Sequence, residues 1–189
     1  MAKRKVVICG EPVLRRRAKR VKNIDGRIIE LLGDMAETMP ENSGLGLAGP
    51  QVGESRAVIV VQPDPEEEGV LELINPRVIE KEGEEEGLEG CLSLPTLRGT
   101  VIRPQRVAVE AVTPDGEEVV VEGDGLMARA LAHEVDHLAG TLFIDQVEPD
   151  SLVWLRPDDS KESGYRLDPT TIEEAMAAFE RLRKRRSET

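Results

Sequence analysis

Apolar residues recur at helical spacing in three places along the chain, with strand-like runs between them. From about Asp25 to Met39, the positions Ile28, Leu31, Leu32, Met35 and Met39 form one stripe; Asp25 or Asn23 is placed to cap it, and Pro40 follows. From Leu126 onward, Met127, Ala130, Leu131, Glu134 and Leu138 repeat the pattern, and Gly140 stands where such a helix stops. Ile172, Ala175, Met176, Phe179 and Leu182 mark a third helix, with Pro169 suited to its first turn and Thr171 to Glu174 spaced as a capping box. Strand signals lie at Val6–Cys9, Ala57–Val61, Val70–Ile74, Arg77–Glu82, Thr100–Arg103, Arg106–Val112 and Glu118–Glu122. Asn75-Pro76 reads as a turn, and Thr113-Pro114-Asp115-Gly116 closes the last two strands into a hairpin. The order predicts an α+β fold: antiparallel sheets packed around a central helix, with an additional C-terminal helix. Residues 1–149 read as the main domain, 150–168 as a linker rich in Pro, Asp and Ser, and 169–189 as a helical extension with a basic end.

A chain of 189 residues is long enough for one domain with a sizeable core, and aromatics at 2% leave that core to Val, Leu, Ile, Ala and Met. The net charge of −12 argues against sequence-specific nucleic acid binding. The acidic runs Glu66–Glu68 and Glu82–Glu89 read as solvated loops or a hairpin tip, and Arg15–Arg20 as a solvated helix face. The basic end, Arg181 to Arg186, suits a helix C-terminus; its sharper reading is docking to an acidic partner such as ribosomal RNA. The N-terminal apolar run is too short for a secretory signal, and nothing approaches a membrane span. A cytoplasmic location is therefore expected, with Cys9 and Cys91 reduced.

The second helix carries both histidines of the chain, His133 and His137, four residues apart with Glu134 between them. At that spacing the side chains share a face, about 5–6 Å apart at Cβ, so both imidazoles reach one ion and the carboxylate reaches a water on it. A third ligand is needed, and the candidates are Cys9, Cys91 and the carboxylates. Cys91 lies in Glu89-Gly-Cys-Leu-Ser-Leu-Pro95, where Gly90 permits close backbone approach and an extended segment leaves the Leu92 N–H free. Two His and one Cys leave an open fourth position, which separates catalytic from structural sites. Gly44, Gly46 and Gly49 satisfy G-x-G-x-x-G, but a helix and a polar loop precede them and a strand follows, the reverse of a dinucleotide-binding turn. These glycines fit close approach to a peptide-like ligand instead.

Three motifs, Gly44-Leu-Gly-Leu-Ala-Gly-Pro-Gln51, Glu89-Gly-Cys-Leu-Ser93 and His133-Glu-Val-Asp-His137, resemble those of the peptide deformylases in order and spacing. Gly49 departs from the family pattern, where a second alanine is common, as does Ala132, where glutamine is usual. The resemblance implies removal of the formyl group from N-formylmethionyl nascent polypeptides. It implies that Cys91, His133 and His137 hold a divalent ion, that Glu134 is the general base and acid, and that Gln51 and the Leu92 N–H stabilise the oxyanion. It further implies that Gly44, Leu45, Gly46 and Gly90 line the substrate backbone, that Leu126, Arg129 and Ala130 border the methionine pocket, and that Arg98 lies at its rim. A thiolate with two imidazoles suits Fe2+, Zn2+, Ni2+ or Co2+, and the resemblance favours iron. A closed structural zinc site using Cys9, a peptidase on the same helix and a binding-only homologue remain as alternatives.

Overall fold

The computed structural model describes residues 3–41, 44–62, 69–161 and 163–187. The acidic run Glu66–Glu68 lies outside them. Asp25 Oδ1 accepts from the Arg27 and Ile28 amides at 3.1 and 3.2 Å and so starts the first helix, α1 (Gly26–Glu41). Its stripe of Ile28, Leu31, Leu32, Met35 and Met39 is buried, as the spacing predicts.

Five strands build one antiparallel sheet: β1 (Gly46–Ala48), β2 (Val58–Val61), β3 (Leu71–Glu82), then β6 (Arg106–Val112) and β7 (Glu118–Asp124). The intervening β4 (Glu85–Cys91) and β5 (Leu94–Arg103) leave this sheet and pair with each other in a second one. In β2 the side chains alternate: Val58 and Val60 join the core under α1, while Ile59 and Val61 join the core under the second helix, α2 (Gly125–Ala139). A strand covered on both faces needs no polar alternation, which is why its sequence is continuously apolar. Gly140, at φ 83°, ends α2, and the Thr141 amide returns to the Asp136 carbonyl at 3.0 Å.

Several expectations change. The predicted turn at Asn75-Pro76 is an irregularity within one long strand, β3: Asn75 takes φ 54° and both ends of its carboxamide bond the Val21 backbone. Val6–Cys9 is extended without being assigned to either sheet, held by Val7 N–H to the Gln51 carbonyl and Cys9 N–H to the Ser93 carbonyl, each 2.8 Å. Arg15–Arg20 forms no helix beyond the short 3-10 turn Pro12–Arg15, because it lacks an apolar stripe to bury. The segment Glu82–Glu89 crosses from one sheet to the other, and its last member, Glu89, is buried.

The stretch 150–168, expected as a linker, contains two paired strands, β8 (Val153–Pro157) and β9 (Tyr165–Pro169), which extend the second sheet in the order β4-β5-β8-β9. Pro169 closes β9 rather than opening the last helix, α3 (Ile172–Ser187); strand pairing claims it first. The capping box is present: Thr171 Oγ1 accepts from the Glu174 amide, and Glu174 Oε2 accepts from the Thr171 amide, each at 3.2 Å. Ala175 and Phe179 of α3 enter the core that holds Cys91, Leu97, Phe143 and Leu152. Among the described residues no helix is long and apolar enough to cross a membrane.

This packing makes the C-terminal helix part of the folded unit. Phe179→Ala is expected to lower global stability in urea unfolding by about 3–5 kcal/mol; a helix merely tethered to the body would leave the transition unmoved.

Candidate metal centre

The strand β4 and the helix α2 meet at one buried point. On α2, His133 and His137 present their rings edge to face with centroids 5.0 Å apart. On β4, Cys91 sits where the ladder to β5 shifts register, and it pairs directly with Leu94 across a two-residue turn. That turn points the thiol at the helix, 3.2 Å from His137 Nε2. One donor atom from each of Cys91, His133 and His137 lies within 4.8 Å of the other two, and all three residues are buried. A thiolate and two imidazoles are a sufficient donor set for one transition-metal ion, with bonds of about 2.3 Å to sulfur and 2.0–2.1 Å to nitrogen. Cys9 is not part of this group; its thiol contacts Met176 Sδ at 3.6 Å, which removes the closed four-ligand alternative.

Behind His133 stands Glu89. Its Oε2 lies 2.9 Å from His133 Nδ1, its two oxygens take Arg103 Nε at 2.8 Å and Nη2 at 3.0 Å, and Oε1 also takes Arg129 Nη1 at 2.8 Å. Burial alone would raise the Glu89 pKa, but hydrogen bonds from His133 and Arg103, with their charge, outweigh it and hold the group at about 2. An ionised carboxylate only accepts, so Nδ1 of His133 carries the proton and Nε2 is left on the side of the Cys91 thiol. Arg103 also reaches Asp136 Oδ2 at 2.5 Å, and Arg129 is held by the Val101 and Glu85 carbonyls at 2.9 and 2.8 Å. Burial pushes His137 well below the usual histidine range, and the neighbouring His133 charge adds to this. Burial likewise pulls at His133, but hydrogen bonds to Cys91 and Glu89 prevail and raise it.

Glu134 faces the same space, 4% exposed, and burial lifts its carboxyl to about 7. Among the described residues its Oε2 has no hydrogen-bond partner. Opposite, a Cβ on Gly46 would stand 2.6 Å from Glu134 Cγ, so only glycine admits the carboxylate at this depth. The Gln51 carboxamide is fixed at both ends: Oε1 accepts the Ala48 amide at 2.7 Å, and Nε2 donates to Cys91 Sγ at 3.4 Å. Gly49, one of the two departures, is required here because a Cβ would meet the Arg56 carbonyl oxygen at 2.6 Å.

A cleft of about 420 Å³ opens beside these groups. The sequence-predicted Gly44, Leu45, Gly46, Gln51, Gly90, Cys91, Leu92, Arg98, Leu126, Arg129, Ala130, His133 and Glu134 all line it, while His137 lies behind its wall. Arg129 differs in kind from the expectation, since its guanidinium is committed to Glu89. Sequence reasoning missed Glu89, Arg103 and Asp136. The available signal was the period of β4, in which Gly87, Glu89 and Cys91 share one side of the strand.

Fold and site together bring three residues that could hold a metal ion, an adjacent buried carboxylate and a peptide-sized cleft into one place, the make-up of a hydrolase. The chain belongs to the peptide deformylase family, whose model, described as polypeptide deformylase, matches residues 3–152. The peptide deformylase of Natranaerobius thermophilus is 50% identical over 149 residues, spanning 78% of this chain and 94% of the relative. That of Thermomicrobium roseum is 44% identical over 169 residues, spanning 86% and 96%. Among solved structures, peptide deformylase from Thermotoga maritima superposes with a TM-score of 0.75 at 37% identity, over 79% of this chain and 100% of that one. The Synechococcus elongatus enzyme in complex with actinonin gives 0.75 at 39% identity, over 79% and 83%.

Replacing Glu89 with Gln keeps the size but removes the charge that orders His133. Divalent-ion affinity, read by cobalt titration in the visible band, is expected to fall about 10–100-fold; unchanged affinity would mean that Glu89 serves the fold alone.

Proposed function

We propose that this chain removes the formyl group from N-formylmethionyl nascent polypeptides, releasing formate, in the cytoplasm. The observation that carries the reading is the convergence of Cys91, His133 and His137 beside the Glu134 carboxylate, whose Oε2 has no hydrogen-bond partner among the described residues, in a chain of this family. Cys91, His133 and His137 would hold one divalent ion, Fe2+ natively, with Zn2+, Ni2+ and Co2+ suited to the same donors. When bound, such an ion supplies Lewis-acid chemistry and lowers the pKa of a water from 15.7 towards about 7.

The protein's own groups do the rest. Glu134, buried and poised near neutrality, takes a proton from the attacking water and returns it to the leaving amine nitrogen as the C–N bond breaks. The Gln51 Nε2–H and the Leu92 N–H donate to the oxygen of the former formyl carbonyl as it gains charge. Gln51 is already oriented for this by the Ala48 amide, so little reorganisation accompanies the reaction. Gly44, Leu45, Gly46 and Gly90 let the substrate backbone lie close to the chain. Leu126, Ala130 and the stem of Arg129 border the methionine side chain, with Arg98 at the rim.

Formyl-Met-Ala-Ser is expected to yield formate with its backbone intact; backbone cleavage would assign a peptidase instead. Glu134→Gln should retain the metal and lower kcat by about 10²–10⁴-fold. Gln51→Ala should cost about 10²–10³-fold, or 2.7–4 kcal/mol of transition-state stabilisation, and near wild-type rates in either variant would refute the assigned role. The iron form should lose activity to peroxide faster than a nickel form, because the thiolate and a redox-active ion share one open site.

A further inference from the structure

Beyond the cleft, a second groove of about 340 Å³ lies between β8 and α3. Trp154, Phe179 and Leu182 supply apolar lining, and Arg156, Arg181 and Arg185 supply the charge. It adjoins the cleft, because Pro95 and Thr96 line both. These two residues stand at the start of β5, immediately beyond the turn that carries Cys91. The elements that complete the groove, β8 and α3, lie after residue 152, past the segment the family model matches.

We propose that this groove receives the downstream segment of the substrate polypeptide and favours acidic side chains there. The inference rests on the deformylase reading and adds a preference to it. Adjacency to the cleft supplies the occupant: a chain whose formyl-methionine end is seated beside Glu134 reaches this groove by crossing Pro95 and Thr96. Charge supplies the preference, since three arginines face one groove in a protein of net charge −12. The Arg156 guanidinium lies 5.2 Å from the Trp154 ring centroid and 3.8 Å from Asp168, which shares its charge, so Arg181 and Arg185 carry more of the preference. Arg183 and Lys184 turn to Glu180 instead, at 2.9 and 3.7 Å, and do not line the groove.

Three formylated substrates test it on the metal-loaded full chain: formyl-Met-Ala-Ser, and the same tripeptide extended by an aspartate-rich or a lysine-rich segment. The acidic extension is expected to give kcat/KM about tenfold above the basic one, through KM, with the preference lost at about 1 M salt, where screening acts within about 3 Å. In Arg181→Glu the ratio should approach one. Trp154 is the only tryptophan, so its emission supplies a readout independent of turnover. It should shift on titration with the unformylated acidic peptide, saturating at about a tenfold lower concentration than with the basic one. Turnover of the tripeptide with no charge preference, or a Trp154 response to single-stranded RNA and not to the acidic peptide, overturns the proposal. Absence of formate release from the tripeptide itself removes the deformylase reading, and the groove's assignment with it.

Discussion

A buried carboxylate, Glu89, sets the terms for the rest of the molecule. It sits on β4 of the smaller sheet and binds Arg103 from β5 and both Arg129 and His133 from α2. Since α2 packs on the larger sheet, the cluster ties the two sheets together at the metal-ligand group. Stranding one charge in such a place by removing its partners typically costs about 3–5 kcal/mol. The same interactions that make the carboxylate tolerable fix the tautomer of His133. Stability and ligand geometry are therefore one requirement here.

Close packing of backbone against side chain is the second constraint. Gly46 makes room for Glu134, and Gly44 for Leu92, where a Cβ would stand 2.8 Å from Cδ1. The glycines of the Gly44–Gly53 loop thus serve the fit between loop, helix and thiol-bearing turn before any substrate arrives. Gly49 belongs to the same account, with the Arg56 carbonyl as its neighbour. Because Gln51 follows two residues later and is held by the Ala48 amide, the loop delivers a rigid amide donor rather than a mobile one.

The C-terminal segment enlarges the smaller sheet and the core beneath it. Trp154 and Phe179 meet at a tilt of 49° with centroids 5.4 Å apart, and Phe179 and Ala175 pack into the cluster that also holds Cys91. The Cys91-bearing hairpin of β4 and β5 is thereby braced from behind by residues far away in the chain. The groove on the outer side of this segment is lined by Arg156, Arg181 and Arg185.

Much of the fold was legible in the sequence. The stripes of α1, α2 and α3, the Thr113–Gly116 hairpin and the stop at Gly140 are local, set by side-chain period, capping and glycine conformation. The meeting of Cys91 with His133 and His137 was also legible, from the spacing of two histidines on one helix and a thiol in a short motif, whereas attention to Gln51 came from the resemblance to a family. What local pattern could not determine is which polar residues become buried. Glu89 looked like one more member of an acidic run, yet pairing with β5 and packing against α2 made it the hub. Residues 150–168 looked like linker because their composition is polar; only the free edge of β5 gave β8 a ladder to join. Sequence by itself determined the helices, most strands and the clustered candidate groups, whereas tertiary structure decided charge burial and strand partnership, since both depend on neighbours distant along the chain.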